Sequence, residues 1–195
     1  MSVYIKSVRK NSLAAKAGLK KKFQLLSINE NHINNFLDLQ FYANEEILKI
    51  KFIDNNDNLE EVTIFKESET NLGIEIFSKK CRTCCNNCIF CFVDQMPSKM
   101  RKSLYLKDDD YVFSFIYGNF ITLTNLSNIE FDRIIEQHIS PLYISVHTTN
   151  PVLHKKMLRY KKKDFNILNK LKQLSAAGIQ MHTQIVVVPG WNNGT

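Results

Sequence analysis

The chain has 195 residues, of which 44% are apolar and 23% charged. That balance is the one expected of a soluble globular protein, and the length suits one full domain or a small domain joined to part of a larger one. No run approaches the ~18 consecutive apolar residues a membrane span needs, and no apolar signal segment follows Met1, so a cytoplasmic protein is expected. Charge is divided unevenly: residues 1–75 carry 10 basic and 11 acidic side chains, residues 76–195 carry 16 and 8. The basic second part suits an anionic substrate or a nucleic acid, although a cluster such as Lys161 to Lys163 reads first as a solvated face.

Val3 to Val8 alternates like a strand, Ser12 to Gly18 reads as a short helix stopped by glycine, and Phe23 to Ile28 is again strand-like. Leu37 to Tyr42 fits a helix. Two β-rich runs follow, Ile47 to Ile53 and Leu59 to Lys66, joined by Asp54-Asn55-Asn56-Asp57-Asn58, a composition that favours a hairpin turn. Ser12-Leu13-Ala14-Ala15-Lys16-Ala17-Gly18-Leu19 leading into Gln24-Leu25-Leu26-Ser27-Ile28-Asn29 resembles a PDZ domain. In that family a Gly-Asp pair usually precedes the strand, where this chain has Lys22-Phe23, and there is no Gly-rich loop to capture a C-terminal carboxylate in backbone amides. A packing or substrate-presenting role is therefore expected of residues 1–75, rather than peptide capture.

All five cysteines fall between Cys81 and Cys91, in the run CRTCCNNCIFC. Cys84, Cys88 and Cys91 have the spacing C-x3-C-x2-C, with Phe90 just before the last cysteine. Three thiolates on one loop can hold three corners of a 4Fe–4S cube and leave the fourth iron open to another ligand. Counting Cys81 gives C-x2-C-x3-C-x2-C, which also suits a four-thiolate zinc site or a fully ligated electron-transfer cluster. Three residues between the two C-x2-C pairs is cramped for zinc, whose pairs usually lie far apart. An odd cysteine count in a chain of this length argues against a disulfide framework.

Beyond Glu75 strands alternate with helices. Val112 to Thr124 reads as strand-rich, Asn128 to His138 as a helix, and Leu142 to His147 as a strand. One further helix begins at Pro151, and Asp164 is placed to cap another that runs to Gly178, with Ile167, Leu168, Leu171 and Leu174 as its apolar stripe. Ile179 to Val188 reads as a strand ended by Pro189-Gly190. Units of this length imply a parallel sheet, either doubly wound or part of a barrel, with ligands at the C-terminal strand ends. The period of two puts Tyr143, Ser145 and His147 on one face and Leu142, Ile144 and Val146 on the other; Gln180, His182 and Gln184 likewise share a face. The polar faces should line the interior. Asp108 to Asp110 reads as a solvated acidic turn, with substrate or cation contact as the alternative, and Gly118 alone reads as a bulge or turn in a strand.

Cys84 to Cys91 with Phe92, Asp94-Gln95-Met96-Pro97, Lys102-Ser103-Leu104-Tyr105, Lys107-Asp108-Asp109-Asp110-Tyr111 and Tyr117-Gly118-Asn119-Phe120-Ile121-Thr122-Leu123-Thr124-Asn125-Leu126 together resemble a family of bacterial radical S-adenosylmethionine (SAM) proteins of unassigned substrate. That family is similar to this chain in placing a PDZ-like segment before the cysteine loop. Ile144-Ser145-Val146-His147 and Gln184-Ile185-Val186-Val187-Val188-Pro189-Gly190 resemble its later strands. The resemblance implies an α/β fold, with residues 1–75 a small β-rich PDZ-like domain and residues 76–195 part of a radical SAM (β/α) barrel. It implies Cys84, Cys88 and Cys91 as ligands of a 4Fe–4S cluster that SAM chelates at the open iron, and Phe90 as a neighbour of the adenine. Gly118 and Asn119 fall where such proteins carry a Gly-Gly-Glu type motif for the SAM amino group, Asn119 being a neutral substitute for the acid. Ser145 and His147 would lie towards the ribose or carboxylate, and Pro189, in the Val188 to Gly190 turn, near the adenine. The implied partner is an electron donor such as flavodoxin or ferredoxin.

The substrate is not legible, and nothing in the sequence singles out a nucleic acid. The pattern stops at Asn193-Gly194-Thr195, before the later barrel units, so a truncated barrel with an apolar edge at Ile185 to Val188 is expected. The competing readings are an iron–sulfur electron-transfer protein with four cysteine ligands and an inactive PDZ-like interaction module.

Overall fold

Alternation of apolar and polar side chains builds the first part of the chain. In the computed structural model, which describes residues 3–67, 70–77, 81–162 and 164–194, the strands and helices of this part are β1 (Val3–Val8), α1 (Leu13–Lys16), β2 (Gln24–Ile28), β3 (Asn31–His32), α2 (Phe36–Tyr42), β4 (Ile47–Ile53), β5 (Leu59–Phe65) and β6 (Ile74–Ile76). They form an antiparallel sheet of order β5-β4-β2-β1-β6, with β3 on β2. Along β4 the side chains of Leu48, Ile50 and Phe52 are buried while Ile47 and Lys49 are exposed, the alternation of a sheet with one wet face. Ile5, Leu25, Ile28, Leu48 and Ile50 form the centre of the core.

The expected hairpin turn forms because Asp54 Oδ1 accepts from the backbone N–H groups of Asn56 (2.8 Å) and Asn58 (2.9 Å). Ser12 and Asn35 cap α1 and α2 through their side chains. Strand β6 is too short to announce itself as a period in the sequence. It is reached through Gly73, whose φ is 78° and where a Cβ would come within 2.4 Å of Ser12 Cβ, so the approach requires glycine.

Contacts cluster the chain into two units, Met1–Lys80 and Cys81–Thr195. The second contains α3 (Tyr111–Tyr117), α4 (Asn128–Glu136), β7 (Leu142–Ser145), α5 (Pro151–Leu158), α6 (Ile167–Ala176) and β8 (Met181–Gln184), plus a single 3₁₀ turn at Lys102–Tyr105. Strands β7 and β8 pair in parallel from Leu142↔Met181 to Ser145↔Gln184, and Ile121 adds an isolated parallel bridge to Ile144. The expected parallel geometry is present. Leu142, Ile144 and Val146 are buried on one side of β7 and its continuation, as the alternation requires.

The strand expected from Val112 to Thr124 does not form. Its first half is helix α3, because Asp110 Oδ1 accepts from Val112 N–H (2.9 Å) to cap the helix and Gly118, in the left-handed region at φ 77°, ends it. The buried Ser114 hydroxyl then accepts from Tyr143 N–H (2.9 Å), pinning α3 to β7. The run of Val112, Phe113, Phe115 and Ile116 has strand propensity, but its caps and tertiary partners win. Helix α6 starts later than expected: Asn166, not Asp164, caps it by accepting from Asn169 N–H (3.1 Å). The last strand is shorter than expected and ends at Gln184, since Val186 N–H is taken by His147 Nδ1 and Val188 N–H by Asn192 Oδ1. Among the described residues no helix is long and apolar enough to cross a membrane.

Candidate functional site

Residues 81–91 form no helix or ladder of their own, so their shape is imposed by neighbours. On one side Cys84 N–H donates to Lys107 O (2.7 Å) and Asp109 N–H to Arg82 O (2.8 Å). On the other, Asn87 N–H donates to Leu158 O (3.2 Å) and Ile89 N–H to Met157 O (2.9 Å), at the end of α5 where both side chains are fully buried. Arg82 ties the entry of the loop to the start of α4. Its guanidinium makes a two-pronged pair with Glu130, and its Nη1 also donates to Asn125 O (3.2 Å). Burial works against the Glu130 charge, but Arg82 and the Ser127 capping box outweigh it and hold the carboxyl down at about 2.

This pinning turns Cys84, Cys88 and Cys91 towards one cavity of about 560 Å³. Phe90, Gly118, Asn119, Ser145 and His147 line the same cavity, so eight of the nine expected site residues meet there. Cys81 and Cys85 do not line it, and neither does Pro189. Pro189 instead belongs to a turn tied down by Asn192, whose Nδ2 donates to His147 O and Val186 O, both at 2.9 Å. The Ser145 and Gln184 ends of the parallel strands open onto the cavity, where the ligand rule for α/β sheets places a site.

Burial pushes the Cys84 thiol up to about 11 and the Cys88 thiol to about 12, the latter with added repulsion from Cys84 and Cys91. Thiols in this state bind metal by giving up their protons to it. Among the described residues no three Cys, His, Asp or Glu side chains are gathered tightly enough to hold a single metal ion. In a cubane each thiolate binds a different iron, and three cysteines that line one cavity are compatible with that. The donor set and its placement fit such a cluster.

His147 sits edge-on to Phe90, ring centres 4.5 Å apart, with its backbone in the left-handed region at φ 58°. Burial, with a smaller contribution from His154, lowers its pKa to about 4, so the ring is neutral near pH 7. Val186 N–H donates to Nδ1 (3.1 Å), which places the ring proton on Nε2 as a hydrogen-bond donor. Gly118 is the C-cap of α3 and not the strand bulge expected of it alone. Asn119 Nδ2 donates to Asp108 Oδ2 (2.7 Å), so a carboxylate lines the cavity beside the neutral Asn119.

Asp109 and Asp110 correct the expectation of a solvated acidic turn, for both are buried. Asp110 caps α3 and accepts from Arg82 N–H (2.9 Å). Asp109 Oδ1 accepts from Thr122 N–H (2.6 Å), and its Oδ2 lies 2.7 Å from Thr122 Oγ1. Thr122 Oγ1 is 2.8 Å from Thr124 Oγ1, which donates to Asn86 Oδ1 (3.0 Å). Asn86 and Thr122, together with Lys107, line the cavity without having been singled out in the sequence. The only sequence signal for Asn86 is its position inside the C-x3-C gap.

A family profile described as a radical SAM-like domain matches residues 66–195. No curated protein matches the chain.

Proposed function

The chain belongs to the radical SAM-like domain family, and we propose that it uses Cys84, Cys88 and Cys91 to hold a 4Fe–4S cluster and cleaves SAM reductively. The observation that carries this reading is that these three cysteines line one cavity with Phe90, Asn119, Ser145 and His147, while Cys81 and Cys85 stand outside it. When bound, such a cluster supplies one electron that splits the SAM sulfonium into methionine and a 5′-deoxyadenosyl radical. The chain's own residues bind and orient. Phe90 offers an aromatic face for the adenine, His147 Nε2–H and the Ser145 hydroxyl offer donors to the ribose or carboxylate, and Asp108, steadied by Asn119, offers an acceptor to the amino group.

On this reading the second unit is of radical SAM (β/α) barrel type, and residues 1–75 are a PDZ-like module with a packing or substrate-presenting role. A flavodoxin or ferredoxin would deliver the electron. The test is anaerobic reconstitution with iron and sulfide, reduction with dithionite, and measurement of 5′-deoxyadenosine by chromatography and mass spectrometry. Product above that of Cys88→Ala is expected. Its absence from a protein whose cluster is intact would refute the assignment.

A further inference from the structure

Helix α5 has two unlike faces. The inner one holds the cysteine loop: His154, Met157 and Leu158 are fully buried, Asn87 N–H and Ile89 N–H donate to the carbonyls of Leu158 and Met157, and Cys88 Sγ lies 3.8 Å from Leu158 O. The outer one is basic. Lys155, Lys156 and Arg159 are exposed, and Lys161 and Lys162 extend the charge beyond the helix end. Among the described residues none of these five forms an ion pair. From Gln137 to Thr195 the sequence has eight Lys and Arg against a single acid, Asp164, so this stretch of chain does not neutralise the face.

Lysines in the last turn of a helix favour the helix itself, which is reason enough for Lys155 and Lys156 taken alone. It does not explain what lies beside them. An open depression of about 520 Å³ is bounded by Pro151, Val152, Lys155, Lys156, Tyr160 and Phe165, with the exposed Pro151 and Val152 as its apolar part. An apolar centre rimmed by charge is the make-up of a protein-docking patch, and transient electron-transfer contacts are among the smallest of these. A nucleic acid would use the same charge, but its bases also stack on exposed aromatic faces. Tyr160 and Phe165 are buried and packed on His154 and on each other, so they offer none.

We propose that the outer face of α5, centred on Lys155, Lys156 and Arg159, docks an acidic one-electron carrier protein of the flavodoxin or ferredoxin kind. The inference rests on the cluster reading above and adds where the electron enters. The carrier's reduced centre gives up one electron to the cluster held by Cys84, Cys88 and Cys91, and no bond is made or broken in the docked pair. Leu158, next to Arg159 in the chain and in contact with Cys88 Sγ through its carbonyl, links the basic face to a cysteine sulfur. Opposite charge on the two proteins speeds their encounter and orients it.

The experiment compares reconstituted wild type with Lys155→Glu/Lys156→Glu and with Lys20→Glu/Lys21→Glu, which makes the same change in net charge at exposed positions of the first unit. Oxidised flavodoxin and, separately, oxidised ferredoxin are titrated against each protein at low salt by calorimetry. Cluster reduction is then followed by stopped flow with the reduced carrier and with dithionite. At least one carrier should bind wild type and Lys20→Glu/Lys21→Glu alike, and Lys155→Glu/Lys156→Glu about tenfold more weakly. Reduction by that carrier should slow by a similar factor, while dithionite, which needs no docking face, reduces all three equally fast. Equal affinities of the two variants at full iron content, or no binding of either carrier, overturn the docking face and leave the cluster reading standing. Slower reduction by dithionite as well overturns it by placing the effect on the cluster. Loss of RNA oligonucleotide binding with carrier binding unchanged overturns it in favour of a nucleic acid. A wild type that takes up no iron overturns it together with the cluster reading.

Discussion

His154 makes the second unit sensitive to acid in a way that can be sized. Its ring is fully buried on α5, 5.5 Å from Tyr160 and 5.7 Å from Phe165 by ring centres, and its Nε2 has no partner. Burial lowers its pKa from the ordinary 6.5 to about 4. Between those values the unfolded chain binds the proton and the folded chain refuses it, so stability is fully present above pH 6.5 and falls as the pH drops towards 4. Going from pH 7 to pH 5, linkage over that interval costs about 2 kcal/mol, a large part of the roughly 5–15 kcal/mol that holds a typical domain. His147, also lowered to about 4, adds a loss of the same sign, while Glu130, held at about 2, titrates below this window. His154→Phe keeps the aromatic packing and removes the titration. The assay is urea unfolding of the metal-free, reduced protein followed by emission of Trp191, the sole tryptophan, which lies in this unit. The variant should gain about 2 kcal/mol on wild type between pH 7 and pH 5. Equal pH slopes for the two proteins would refute the reasoning.

Replacing Cys84, Cys88 or Cys91 by Ala should abolish most iron binding, whereas Cys81→Ala and Cys85→Ala should retain the ~four irons of a 4Fe–4S cluster, counted colorimetrically after reconstitution; equal loss from Cys81→Ala would favour four-thiolate ligation. Gly118→Ala should destabilise the second unit by about 1–2 kcal/mol, because it forces a side chain into the left-handed region at the end of α3, and Trp191 unfolding curves will read the change. A chain ending at Lys80 should give a dispersed amide NMR spectrum, since the sheet and core of the first unit close without any cysteine; a collapsed spectrum would contradict that.

Where local chemistry and tertiary packing agree, the sequence is readable. The hairpin at Asp54 to Asn58, the Ser12 cap and the alternation of β4 follow from side chains acting on their own backbone within a few residues, so each stood out. The face of β7 that carries Tyr143 and Ser145 is legible for the same reason, since burying Leu142 and Ile144 forces their neighbours to the other side, whereas His147 lies beyond the strand with its backbone in the left-handed region. The run from Val112 to Thr124 departs from its strand expectation because its outcome depends on long-range partners, the Ser114 hydroxyl on Tyr143 and the Ile121 bridge to Ile144. Asp109 and Asp110 were misread because three consecutive carboxylates look solvated until Thr122 and Arg82 are seen to satisfy them. Asn86 carries no such signal beyond its place in the C-x3-C gap, although it lines the cavity.

The cysteine loop owes its geometry to elements far away in sequence. Having no ladder of its own, it takes one backbone partner from Lys107, two from the end of α5, and a guanidinium anchor on Glu130. Each of those partners is itself fixed: Met157 and Leu158 by complete burial, Glu130 by the Ser127 capping box. A spacing of C-x3-C-x2-C therefore does not by itself bring three cysteines to one cavity. It permits the arrangement, and the packing of α4 and α5 around the loop selects it, which is why Cys84, Cys88 and Cys91 face the cavity while Cys85, one residue from Cys84, is left exposed.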